Sequence, residues 1–311
     1  MIALVFPGQG SQAVGMGQAL ADQFAICKQT FAEADAALNE SLSDLIFNGP
    51  IDRLTLTEHT QPAILTMSVA VWRLLESRGL KAAFVAGHSL GEYSAHVAAG
   101  TLQFADAVRL VRNRGRYMQE AVPVGVGAMA AIIGLDEAGV TRACEEAAQG
   151  EVVSPANLNG AGQIVIAGSA AAVARAGERA KALGARRAIP LTVSAPFHCA
   201  LMKPAEVRLT PELRSVPALD PRIPVVANVD AQPKRTAAAS IDALIQQVTS
   251  PVRWEDVVKR LESEGVTRYV EVGPGKALSG MIKRIAAGAI IYNVEGPDDL
   301  AAISAITEQR S

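Results

Sequence analysis

Thiols are scarce in this chain. Its three cysteines, Cys27, Cys144 and Cys199, are odd in number and never stand in C-x-x-C, so neither a disulfide framework nor a thiolate zinc site is expected, and no metal site is assigned. Charged residues make up only 19% of 311 positions and nearly cancel, to −2. That removes the electrostatic reason to expect nucleic acid or an anionic membrane as partner. Long apolar runs are missing too. The longest weakly polar stretch, residues 122 to 135, is broken by Pro123, Gly125, Gly127 and Gly134 and is too short to span a bilayer. Met1 leads into a five-residue apolar strand with no basic segment before it, so no secretory signal and a cytoplasmic setting are expected. Half of the residues are hydrophobic, enough for a large core in one or two domains at roughly 150 residues each.

Two textures divide the chain. Up to about residue 124, short apolar strands (2–6, 84–86) alternate with helix patterns (24–38, 60–77, 104–121), the rhythm of a mostly parallel α/β sheet. From Gly125 the order changes: strand 127–135, helix 136–148, strands 151–155 and 163–167, helix 170–183 and strand 187–193. That βαββαβ series is the ferredoxin-like split unit. Further strands at 225–227, 269–272 and 289–292, with helices at 241–249 and 257–264, return to the first texture. The expected fold is α/β: a large catalytic domain of residues 1–124 and 195–311 with a small ferredoxin-like domain, 125–194, inserted in it.

Residues 84 to 93, Phe-Val-Ala-Gly-His-Ser-Leu-Gly-Glu-Tyr, carry the chemistry. An apolar strand stops at Gly87 and a helix pattern starts after Ser89, which makes G-x-S-x-G a nucleophile elbow with its serine hydroxyl exposed on a strained turn. A glycine–serine turn without chemistry has the same letters. The backbone N–H of Leu90, at the positive end of the following helix, is aimed at charge developing beside Ser89. Acyl transfer needs a second such donor from another strand-to-helix loop, and the backbone of Gln9, in Phe6-Pro7-Gly8-Gln9-Gly10, is the candidate; a plain glycine turn is the alternative. A dinucleotide loop is excluded there, because the required acidic residue falls on Glu33 or Asp35 inside a helix pattern. No G-x-x-x-x-G-K-[ST] occurs either.

The serine needs a base, and there are four histidines. His59 falls in a polar turn, His96 on the elbow helix, and His88 is locked beside the serine. His198, on a loop made rigid by Pro196 where the chain returns to the large domain, is the one free to approach Ser89; a structural or solvated loop histidine is the other reading. On the helix over 104–121, Ala107, Leu110, Val111 and Met118 lie within about 60° of Arg114, whereas Arg109, Arg112 and Arg116 fall about 140° to 160° away. One guanidinium therefore points inward and needs an anion, either an acidic residue of the core or a substrate carboxylate.

Five segments together, Phe6-Pro7-Gly8-Gln9-Gly10-Ser11-Gln12, Gly87-His88-Ser89-Leu90-Gly91-Glu92, Arg114-Gly115-x-x-Met118-Gln119, His198-Cys199-Ala200-Leu201-Met202 and Glu271-Val272-Gly273-Pro274-Gly275, resemble in order and spacing the malonyl-coenzyme A:acyl carrier protein transacylases of bacterial fatty acid synthesis. The resemblance covers essentially the whole chain. It implies an α/β-hydrolase-like large domain and ping-pong transfer through an acyl-serine. Ser89 would be the nucleophile, His198 the base, the amides of Gln9 and Leu90 the oxyanion hole, and Arg114 the ligand of the malonyl carboxylate. Malonyl-coenzyme A and an acyl carrier protein would be the substrates, with no cofactor permanently bound. The histidine of this family is oriented by a non-acidic partner, and Gln247 stands at the matching position. Phe197, where some members have serine, would favour malonyl over methylmalonyl groups, and His88 would support the elbow. Arg186, Arg187, Lys283 and Arg284 are candidate contacts to an acidic carrier. Two neighbouring functions share these features: a hydrolase such as a thioesterase, against which an inward Arg114 speaks, and an acyltransferase serving a polyketide assembly line.

Overall fold

Alternate side chains of two short apolar strands define the large sheet of the computed structural model, which describes residues 1–302. In β1 (Ile2–Phe6) every residue is buried. Ile2, Leu4 and Phe6 enter one core and Ala3 and Val5 another on the opposite face, as the two-residue period of a strand requires. β2 (Phe84–Gly87) is buried in the same way. Strands covered on both faces read as continuous apolar runs and belong in parallel sheets.

The small sheet is built next along the chain from β3 (Gly127–Ile133), β4 (Val153–Leu158), β5 (Gln163–Ser169) and β6 (Arg187–Pro190), and the large sheet then resumes with β7 (Val225–Val226), β8 (Pro233–Lys234), β9 (Arg268–Val272) and β10 (Ile290–Val294). The large sheet has the order β10-β9-β1-β2-β7-β8. All its pairings are parallel except that of the edge strand β8, which is antiparallel to β7. Helices Thr57–Ser77 and Phe104–Glu120 cover one face, and Trp254–Ser263 and Ala277–Ile285 the other. The βαββαβ segment forms its own antiparallel sheet, β4-β5-β3-β6. Helices Glu137–Ala148 and Ala170–Ala182 pack on one side of it. Met129, Ala131, Val165 and Ala167 on its other side pack with Cys199, Phe197 and Leu201. The returning chain is thereby pinned under the small sheet. No helix among the described residues is long and apolar enough to cross a membrane.

Several boundaries differ from the sequence reading. The helix expected over 60–77 begins at Thr57, so His59 lies inside it and is buried rather than in a polar turn. The strand expected over 151–155 is Val153–Leu158, because the turn at Gly150 carries on to Val152 and the ladder runs on past an irregularity between Pro155 and Asn157; proline cannot donate to a ladder. β6 stops at Pro190, and Leu191 to Val193 line a cleft instead. The helix expected over 241–249 is Ala237–Gln247, started by the side chain of Thr236 accepting from Ala239 N–H. Arg112, expected in water, is largely buried against Glu40.

Candidate active site

Close backbone approach builds the elbow. A Cβ on Gly87 would sit 1.9 Å from the carbonyl carbon of Gly91, and one on Gly91 would sit 2.0 Å from Phe6 O; only glycine fits at either point. Between them Ser89 is held at φ +51°, a left-handed conformation that a side chain adopts at a cost and that persists where the surroundings enforce it. The strand-to-helix turn thus lifts the hydroxyl out of the sheet.

His198 reaches this hydroxyl from a segment 109 residues away. Its Nε2 is 2.7 Å from Ser89 Oγ, and its Nδ1 is 2.9 Å from the backbone carbonyl of Gln247. A carbonyl only accepts, so Nδ1 carries the proton and Nε2 offers its lone pair to the serine O–H. Burial, then the positive charge of Arg114, pushes the His198 pKa down to about 3. The imidazole is therefore neutral at neutral pH, the form a base needs. The other histidines are held elsewhere: His88 Nε2 meets Asn159 Oδ1 at 2.9 Å, and His96 is fully buried on the elbow helix Gly91–Ala98 with its pKa pushed down to about 3.

Arg114 is 1% exposed, as its place on the helix implied, yet no carboxylate pairs with it among the described residues. Its Nη1 donates to Gln61 Oε1 (2.8 Å), and its Nη2 to Gln247 Oε1 (2.8 Å) and Ser89 Oγ (3.1 Å). The guanidinium also stands 5.4 Å from the centre of the Tyr93 ring. Gln247 Nε2 donates in turn to Ser89 O (2.9 Å) and to Glu92 Oε2 (2.8 Å). Burial raises the Glu92 pKa to about 7. A core salt bridge, one of the two explanations for an inward arginine, is thus absent among the described residues, and a cation paired only with neutral dipoles faces the nucleophile.

Ser89, His198, Arg114 and Gln61 line one cavity of about 240 Å³ with Gln9, Leu90, Met118, Leu191, Phe197 and Asn157. The backbone N–H groups of Gln9 and Leu90 have no acceptor among the described residues, while the side chain of Gln9 bonds Thr57 at 3.2 Å. Phe197 is wedged between the small sheet and the large core. Arg186, Arg187, Lys283 and Arg284 are all exposed, away from the cavity. Sequence reasoning missed Gln61, Asn159 and Asn228, the last holding Ser89 N–H at 2.7 Å. The polar signal of Gln61 on an otherwise apolar helix face was available; the two asparagines sit in turns, where asparagine is ordinary.

Known proteins resemble this chain over nearly its whole length. A family model described as the acyl transferase domain matches residues 3–286. The malonyl CoA-acyl carrier protein transacylase of Salmonella typhimurium is 55% identical over 284 residues, 91% of this chain and 92% of that protein. The crystal structure of an acyl carrier protein S-malonyltransferase from Vibrio cholerae superposes with a TM-score of 0.95 at 51% identity, covering 97% of this chain and 99% of that one. A type II PKS acyl-carrier protein has been solved in complex with its malonyl-transacylase, which matches at 49% identity and a TM-score of 0.95 over 98% of this chain and 99% of its own.

Proposed function

The chain belongs to the malonyl CoA-acyl carrier protein transacylases of the acyl transferase family, and we propose that it carries malonyl groups from coenzyme A to the phosphopantetheine thiol of an acyl carrier protein through an acyl-Ser89. The observation that carries the substrate choice is the buried Arg114, without a carboxylate partner among the described residues and 3.1 Å from the nucleophile. A malonyl carboxylate supplies the missing anion, and the planar fork accepts it in bidentate fashion. An ordinary fatty acyl chain has no such group, which disfavours a thioesterase.

In the first half-reaction His198 Nε2 takes the Ser89 proton as Oγ attacks the thioester carbonyl. The oxyanion of the tetrahedral intermediate is met by the N–H groups of Gln9 and Leu90. Collapse breaks the C–S bond, and the protonated His198 returns its proton to the departing coenzyme A thiolate. In the second half the phosphopantetheine thiol gives its proton to His198 and attacks the acyl-serine carbonyl, and Ser89 regains the proton as it leaves. The Gln247 carbonyl, in place of a carboxylate, holds the histidine tautomer. His88 braces the elbow through Asn159. Phe197 narrows the acyl end of the cavity towards malonyl. No resident cofactor or metal enters this scheme.

The fold supports a division into an α/β-hydrolase-like large domain, 1–124 and 195–311, and an inserted ferredoxin-like domain, 125–194; positions 303 to 311 lie outside the described residues. In this scheme the setting is the cytoplasm, the partners are malonyl-coenzyme A and the carrier, and neither nucleic acid nor a membrane takes part. Arg186 and Arg187 at the start of β6 and Lys283 and Arg284 on the helix Ala277–Ile285 are proposed carrier contacts. A fatty acid carrier is favoured by the similarity to the Salmonella transacylase, and a polyketide carrier by the similarity to the PKS complex.

Incubation with malonyl-coenzyme A and a phosphopantetheinylated carrier, followed by mass spectrometry of both proteins, tests the scheme. A malonyl mass should appear first on the enzyme and then on the carrier. Transfer without an enzyme adduct would overturn the acyl-serine route.

A further inference from the structure

Ser89 is held at φ +51°, and the acceptor of its backbone N–H comes from outside its own turn. The parallel ladder between β2 and β7 ends at Ala86 and Val226. Beyond it the backbone groups of the elbow would lose their neighbour strand, because the chain after Ala227 folds into a tight turn in which Ala231 N–H returns to Ala227 O. The side chain of Asn228 takes over. Its Oδ1 accepts Ser89 N–H at 2.7 Å, and its Nδ2 donates to Gly87 O at 2.7 Å. One amide thus spans Gly87, two residues before the nucleophile, and the nucleophile itself. The orientation of the amide is unambiguous, since an N–H needs an acceptor and a carbonyl needs a donor.

Asn228 is itself immobilised. It is fully buried, its N–H donates to Glu92 Oε2 at 3.0 Å, and its carbonyl accepts Arg253 N–H at 3.0 Å. Glu92 also accepts from Gln247 Nε2, which donates to Ser89 O and, at 3.5 Å, to Asn228 Oδ1 as well. The backbone N–H of Ser89 is therefore tied to Asn228, its carbonyl to Gln247, and both partners to the same carboxylate oxygen.

We infer that Asn228 is a positioning residue of this enzyme: it acts through Ser89, clamping the elbow so that the hydroxyl points at His198 Nε2. The inference rests on Ser89 being the nucleophile. Because the clamp touches the nucleophile and not the acyl group, its loss slows acylation by any thioester without weakening substrate binding. That separates it from Arg114, whose loss discriminates between substrates.

Asn228→Ala removes both bonds, and Asn228→Asp keeps the volume and an acceptor while its ionised form cannot donate to Gly87 O. Single-turnover acylation should fall about 10²-fold, the scale set by an ångström-size misplacement of a reacting group, in each variant. The loss should be equal for malonyl- and acetyl-coenzyme A. Malonyl-coenzyme A affinity, measured by calorimetry with Ser89→Ala and with Ser89→Ala/Asn228→Ala, should agree within about twofold, as loss of a purely chemical-step contribution requires. Acylation near the parent rate in a folded Asn228→Ala protein, or a loss carried by affinity alone, would overturn the assignment. So would loss of cooperative thermal unfolding in both variants, which would make Asn228 a folding residue instead. A malonyl adduct that persists in Ser89→Ala overturns the nucleophile itself and is read separately.

Discussion

His198 donates its Nδ1 proton over 2.9 Å to the backbone carbonyl of Gln247, while the side chain of that same glutamine meets Arg114, Glu92 and the backbone carbonyl of Ser89. The backbone orients the base and the side chain holds the arginine. Gln247→Ala should therefore leave the histidine tautomer in place and loosen the guanidinium. KM for malonyl-coenzyme A should rise about tenfold, the scale of one charge-assisted hydrogen bond, with a smaller change in kcat. A collapse of kcat with unchanged KM would show that the side chain acts through Ser89, whose carbonyl it also holds at 2.9 Å, rather than through the guanidinium.

Removing the base itself acts on chemistry. His198→Ala should slow acylation by malonyl-coenzyme A on the order of 10²-fold or more, as loss of general-base catalysis does. Stopped-flow release of coenzyme A measures this directly, and near-normal release would move the base to another group.

Arg114→Ala leaves a malonyl carboxylate in a desolvated cavity without its partner, which should cost roughly 2 to 5 kcal/mol of transition-state binding. Malonyl kcat/KM must then drop steeply while acetyl transfer is kept or gained, because acetyl has no carboxylate to strand. Equal losses for both substrates in one folded variant would remove Arg114 from the acyl site.

The pH dependence of the acylation rate should lack the inflection near 6.5 that an ordinary histidine base produces. His198 works in its neutral form, and with its pKa pushed down to about 3 by burial and Arg114 that form persists well below pH 6. Single-turnover rates between pH 8 and 5 check this, and a half-maximal point near 6.5 would show that the base is solvated.

Stability has its own pH signature. His198 and His96 both stay neutral in the fold to about pH 3, whereas the unfolded chain protonates them near 6.5. Their contribution is complete above 6.5 and is lost as pH falls from there, at about 1.4 kcal/mol per pH unit for each. Glu92, raised to about 7 from an ordinary 4.5, has the opposite sign: it takes its proton first in the fold and so stabilises as pH falls from 7 to 4.5. That offsets one histidine in this window, leaving a net decline that steepens below 4.5. Thermal midpoints at pH 7, 6, 5 and 4 should fall accordingly; a midpoint that rises from pH 6 to 4 contradicts the burial of both rings.

What the sequence determined by itself is what neighbours along the chain decide. The apolar run 84–86, the glycines at 87 and 91 and the helix pattern after them specify a strand, a sharp turn and an exposed Ser89, since period and turn chemistry are local. The inward direction of Arg114 followed from helical spacing for the same reason. Tertiary structure alone decided what those groups meet. Arg112, on the outer face by angle, is covered by Glu40 from a segment far upstream. Arg114 is held by Gln61 and Gln247, 53 and 133 residues away, and Ser89 by Asn228, 139 residues away. Apart from Gln61, a lone polar residue on an apolar helix face, none of these partners is marked by its own surroundings, because a hydrogen bond reads only distance and direction, and those are settled when the sheet order brings the loops together. The same holds for the orientation of His198: a backbone carbonyl has no letter in the sequence, so only the packed chain could assign the proton to Nδ1.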